Sequence, residues 1–136
     1  MNYKLVLRIT LPVIIVLGLI LAFFNITHIN VFEVNASLGK KDTEPILSTH
    51  NIKTLFIVDK AFLTSRKING QLNALRPDYI LEINRIGKKK ETLYLWLKPN
   101  TTKSMYAKYD NNDRDYYHLS EKSTEELKKI ILKNNK

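Results

Sequence analysis

The sequence predicts an α+β domain behind an amino-terminal membrane helix, and three observations lead there. Sixteen residues from Ile9 to Phe24 carry no charge and are almost all apolar. Two pairs of alternating runs, Tyr79 to Asn84 with Leu93 to Lys98 and Met105 to Tyr109 with Tyr116 to Leu119, each flank a polar turn, the signature of antiparallel hairpins. Two stretches of helical period, one from Ile52 and one ending near Ile131, stand apart from those strands. Strands with segregated helices make an antiparallel sheet with two helices packed on it.

The apolar run comes first. Leu5, Val6 and Leu7 extend it across Arg8. A bilayer core of about 30 Å needs about 20 helical residues, so residues 5–24 suffice if the Arg8 guanidinium reaches the headgroups. Membrane helices tolerate Pro12 and Gly18. A cleaved signal peptide is the competing reading, because Lys4 and Arg8 resemble its basic start. Against cleavage, Ala22 is the only small residue at the end of the run, and Phe23 and Phe24 follow it.

Basic residues orient the segment. Lys4 and Arg8 flank one end, whereas residues 25–39 contain no Lys or Arg. The basic end stays in the cytoplasm, so residues 1–4 form a short cytoplasmic tail and residues 25–136 an extracytoplasmic domain. The implied location is a cell membrane crossed once.

Within that domain, Ile29, Val31 and Glu33 alternate with Asn30, Phe32 and Val34, predicting a strand. A turn follows over Ser37–Asp42, then a short returning strand over Pro45–Leu47. Ser48, Thr49 or Asn51 caps a helix whose apolar stripe is Ile52, Leu55, Phe56, Phe62 and Leu63. Arg66–Pro77 reads as loop. The hairpin over Tyr79–Lys98 turns at Gly87–Lys90 and points Leu93, Leu95 and Leu97 at the core. The second hairpin turns at Asp110–Asp115. In the last helix, Ser123 with Glu126 fits a capping box, though Ser120 can cap one turn earlier. Leu127, Ile130 and Ile131 form its buried stripe.

Pro77-Asp78-Tyr79 leads a strand, Tyr94-Leu95-Trp96-Leu97 follows, and Tyr117-His118-Leu119-Ser120 runs into a helix with Glu126-Leu127. In these motifs and their order the chain resembles the YhfM-like domain, found in envelope proteins of Gram-positive bacteria. The likeness covers about residues 29 to 133. Relatives are often lipoproteins, and this chain lacks the cysteine such an anchor needs. The resemblance implies a fold and no activity.

Composition narrows the chemistry. With no cysteine, disulfides, cysteine zinc sites and thiol catalysis are excluded. No Gly-x-Ser-x-Gly elbow and no glycine-rich phosphate loop occurs. His28, His50 and His118 lie far apart in the chain, which argues against a histidine metal site. The run Asp110–Asp115 with Glu121 imitates a calcium loop, but Arg114 takes a ligand place and Asp115 stands where the turn needs glycine. No cofactor is expected, and no nucleic acid, given the outward topology.

Two surfaces remain. Formal charge is +9, from 22 basic and 13 acidic residues. It gathers in Lys40-Lys41 and Lys88-Lys89-Lys90, suited to anionic wall polymers or lipid headgroups. Tyr94 and Trp96, opposite the leucines, could join Tyr106 or Tyr116 in a partner surface. The expected role is a non-catalytic binding or structural protein of the envelope. An unrecognised enzyme, or an accessory or sensor subunit of another membrane protein, is the alternative.

Overall fold

The computed structural model describes residues 3–70, 72, 76–110 and 113–134. Residues 71 and 73–75 of the expected 66–77 loop and Asn111 and Asn112 of the second turn lie outside the described residues, as do Met1 and Asn2 of the expected cytoplasmic tail.

Helix α1 covers Tyr3–Ile26 and strand β1 follows at His28–Glu33. Then come β2 (Leu47–Thr49), α2 (Ile52–Leu63), β3 (Arg66–Lys67), β4 (Tyr79–Asn84), β5 (Glu91–Trp96), β6 (Met105–Asp110), β7 (Asp113–His118) and α3 (Glu121–Ile131). Among the described residues the strands form one seven-stranded sheet in the order β2-β1-β4-β5-β6-β7-β3. Each neighbouring pair of strands runs antiparallel. The expected α+β architecture with two helices on an antiparallel sheet is therefore present.

Register sorts the side chains into two faces. Val31, Leu81 and Leu93 stand opposite one another, as do Tyr79, Leu95 and Tyr106. These point toward Leu55, Val58 and Ala61 of α2 and Leu127 and Ile131 of α3 and share one core with them. Asn51 caps α2 by accepting from the Lys53 N–H, and Ser120 caps α3 by accepting from the Ser123 N–H. Ser123 itself lies buried one turn inside, so the earlier of the two possible caps is the one used.

Three boundaries differ from expectation. The returning strand is Leu47–Thr49 rather than Pro45–Leu47, although the Ile46 N–H already donates to the Val31 carbonyl. Arg66 and Lys67, expected as loop, pair with His118 and Tyr117 as a short edge strand. Asp113, Arg114 and Asp115, expected in a turn, belong to β7.

The amino-terminal segment is helical over 24 residues. Among the described residues, no helix is long and apolar enough to cross a membrane. The side chains described in α1 are Val6 and residues 8–22, and all of them are exposed. Among these described side chains the helix is apolar on every side but for Arg8, and none is buried against the domain. Its one uncharged polar side chain in that stretch, Thr10, donates back to the Val6 carbonyl at 2.9 Å.

Candidate functional site

Helices α2 and α3 both lie on the leucine side, and among the described residues no helix covers the other face, where Phe32, Ala107 and Tyr116 are nonetheless buried. Phe32, Ile80, Tyr94, Ala107 and Tyr116 stand opposite one another in turn, forming an apolar row across β1, β4, β5, β6 and β7. The next row toward the strand ends far from α1 is Trp96, Met105, His118 and Arg66. A helix-free antiparallel sheet face carrying aromatic rings defines this as a two-layer α+β domain with one open layer.

The rings are packed against each other and against cations. Tyr94 meets Tyr109 edge to face at 5.3 Å, and Trp96 meets Tyr116 at 5.8 Å. Arg114 lies over Tyr94 and Tyr109, 5.5 and 4.7 Å from the ring centres, and donates to the Tyr109 hydroxyl. Across the sheet, the Lys41 ammonium sits 4.2 Å above Phe32.

Of the four aromatics expected here, Tyr94, Trp96 and Tyr116 share this face and Tyr106 does not. Tyr106 stands opposite Leu95 and so belongs to the core side. There it stacks on Tyr117 at 4.9 Å, packs against Phe62 at 4.5 Å and shares a 2.9 Å hydrogen bond with Ser65. Burial pushes its phenol above the ordinary value of 10.0. Tyr106 thus lies on the α2 side at 5% exposure, apart from Tyr94, Trp96 and Tyr116; Tyr116, on the opposite face, is itself 7% exposed.

One member of each lysine cluster meets at Glu82. Glu82 lies on the open face and is 8% exposed. Lys41 reaches it at 2.5 Å from one side and Lys90 at 3.2 Å from the other. Burial works to raise the Glu82 pKa, but hydrogen bonds and charge from the two lysines outweigh it and hold the carboxylate below its ordinary 4.5. Lys40, Lys88 and Lys89 stay exposed. The turn with Lys88 and Lys89 follows Asn84, which pairs with His28, so it lies at the end of the sheet where α1 joins. Gly87 supports that turn with φ of 68°.

Two of the three histidines also come together. His28 and His50 stack with ring centres 4.4 Å apart, and His28 Nε2 lies 2.8 Å from the Ser48 hydroxyl. Desolvation first, and then the neighbouring His50 charge, lower the His28 pKa from 6.5. Among the described residues, no group of three or more His, Asp or Glu is placed to hold a metal. The calcium-like run is instead a hairpin in which Asp110 pairs with Asp113 and Asp115 takes an ion pair with Lys67.

These shifts have a sign. A histidine with a lowered folded pKa binds fewer protons folded than unfolded, so its contribution is full above 6.5 and is lost as pH falls through the folded value. Glu82 contributes above 4.5 and loses that below it. Thermal denaturation is expected to show Tm falling from about pH 7.5 to about pH 5.5, with a shallower fall in His28→Gln. A second fall below pH 4.5 should be blunted in Glu82→Gln.

The far end of the open face is concave. A hollow of about 450 Å³ lies where the end of the sheet meets the helical layer, lined by Arg66, Lys103 and His118 with Thr64 after α2 and Ser120 and Glu121 at the start of α3. A second, of about 220 Å³, is lined by Trp96, Lys98 and Met105 and shares Lys103 and His118 with the first. Nothing in the sequence singles out Arg66, Lys103 and His118 together, because they sit on separate short elements with no spacing rule to link them.

The chain is a member of the YhfM protein family, whose match covers residues 30–136. No curated protein and no solved structure matches it.

Proposed function

We propose that this chain is a non-catalytic binding protein of the Gram-positive cell envelope. In this reading residues 5–24 lie in the membrane, residues 1–4 inside and residues 25–136 outside, and the open sheet face takes a ligand. The observation that carries it is the sheet face opposite α2 and α3, where Arg114 lies over Tyr94, Tyr94 meets Tyr109 and Trp96 meets Tyr116.

Membrane residence is supported by the exposure of every described side chain in α1. Ile14 and Leu19 are each 65% exposed. A helix that is apolar all round needs hydrocarbon or a large core about it, and the domain offers it none. In the sequence the apolar run from Leu5 continues to Phe24, matching a span of about 20 residues. Lys88 and Lys89, at the end of the sheet beside α1, would then face anionic headgroups or wall polymers, each contributing about 1 kcal/mol near such a surface.

A reporter enzyme fused after Lys136 tests the topology. The expected result is activity only outside the cytoplasm, with the chain held in the membrane fraction after a high-salt wash. Cytoplasmic reporter activity, or recovery of the chain in the soluble fraction without detergent, would overturn it.

A further inference from the structure

We infer that the concave end of the open face is a track for a linear, base-free phosphodiester polymer of the polyol phosphate type. This deepens the reading that the open face binds a ligand, and it stands apart from the question of membrane residence.

Trp96, Met105, His118 and Arg66 occupy four successive strands in one register and point the same way. Directly opposed side chains on neighbouring strands lie about 5 Å apart, so the row makes a continuous path about 15 Å long. The two hollows meet on this path, at His118 and Lys103. A path with concavities suits a chain laid across the strands, not a compact molecule in a closed pocket.

Charge selects the ligand. Several cations elsewhere in the domain are matched by acids: Lys41 and Lys90 with Glu82, Lys67 with Asp115, Arg85 with Asp59, Lys128 with Glu125. Arg66, Lys98 and Lys103 have no ion pair or side-chain hydrogen bond among the described residues, and Glu121 is the one acid lining either hollow. Unpaired cations spaced along a track complement repeated anions, and a guanidinium fork matches a phosphate with two parallel hydrogen bonds. The first turn of α3 opens on the same hollow and adds its positive end to the field.

The track is held in place before any ligand arrives. Lys98 and Lys103 sit on the segment between β5 and β6. From α3, the Lys128 ammonium donates to the Pro99 carbonyl at 3.1 Å and to the Thr101 carbonyl. Where the segment enters β6, the Ser104 and Thr124 hydroxyls share a buried 2.7 Å hydrogen bond. A segment fixed at these points loses little freedom on binding.

Nucleic acid fits less well. Single strands bind by stacking bases on free ring faces, whereas the Tyr94 ring already has Arg114 over it and Tyr109 against it, and Trp96 leans on Tyr116. A polymer with sugar or glycerol between its phosphates needs only an apolar wall, which Trp96 and Met105 supply.

The test uses the full chain in nanodiscs of neutral lipid, titrated with a synthetic glycerol phosphate oligomer and, separately, an oligothymidylate of equal charge. The oligomer is expected to bind saturably, more tightly than the oligothymidylate, and less tightly as salt rises. Arg66→Ala with Lys103→Ala should weaken it about ten-fold or more. Lys53→Ala with Lys60→Ala, which removes equal charge from α2 behind the sheet, should leave it within about two-fold. All four positions are exposed, so an unchanged Tm shows that the variants are folded. Equal losses from the two double variants overturn the track in favour of diffuse attraction. Tighter oligothymidylate binding overturns the ligand class. Sensitivity to Tyr94→Ala alone overturns the track while leaving the open-face reading standing, and no binding of the oligomer overturns the inference.

Discussion

Truncating Leu95 to alanine is expected to destabilise the domain by about 3–4 kcal/mol, the upper range for a leucine that leaves an uncollapsed cavity. Leu95 has no exposed surface. It sits on β5 between β4 and β6, opposite Tyr79 on one and Tyr106 on the other. Backbone pairing on both edges keeps the strand from moving in to fill the gap. In a domain of this size Tm should drop by about 15–20 °C. Tyr94, the residue before it, points to the open face and is half-buried. Its truncation removes a partly wet ring and should cost about 1 kcal/mol. Urea denaturation of the two variants measures the difference directly. If Tyr94→Ala proved as costly as Leu95→Ala, the open face would have to be a second core.

That division of faces is half legible in the sequence. Leu93, Leu95 and Leu97 announce their own side, because leucine at every second position marks a strand with one buried face. Tyr106 cannot be assigned to a face in the same way. The path from Leu97 to Met105 does not fix how β6 registers on β5, and a slip of one residue moves a side chain to the opposite face. Glu82 can be placed on a strand with Lys90 close by in the same hairpin, but Lys41 is distant in the chain and reaches it only once β1 and β4 are side by side. The His28 and His50 contact depends in the same way on β2 folding back against β1. Asp113 and Asp115 read as turn because acids are poor strand formers; exposure at the rim and the Lys67 ion pair let β7 begin there. Arg66 and Lys67 make too short a strand for any periodicity to show. The aromatic part of the candidate site is visible because rings opposite leucines are conspicuous. Its cationic part is not, since Arg66, Lys103 and His118 are brought together by topology alone.

Asp78 links the stability of the fold to the site. Its backbone joins three strands, since its N–H donates to the Leu95 carbonyl and its own carbonyl accepts from the Val34 N–H, both at 3.0 Å. Its side chain does a separate job: Oδ2 accepts from the Leu97 N–H at 2.9 Å, just past the end of β5. Leu97 is 1% exposed, so water cannot easily replace that acceptor. Asp78→Ala should therefore cost about 2 kcal/mol, within the range for a buried amide that loses a charged partner. Asp78→Asn keeps an oxygen at nearly the same place and should recover more than half of the loss. Leu97 directly precedes Lys98, so freeing its amide also loosens the entry to the segment that carries Lys98 and Lys103. The alanine variant is expected to bind the glycerol phosphate oligomer about three- to five-fold more weakly under conditions where it remains folded, with the asparagine variant close to the parent chain. A stability loss without any change in binding would mean that Lys128 and the Ser104–Thr124 hydrogen bond hold that segment without help from Asp78.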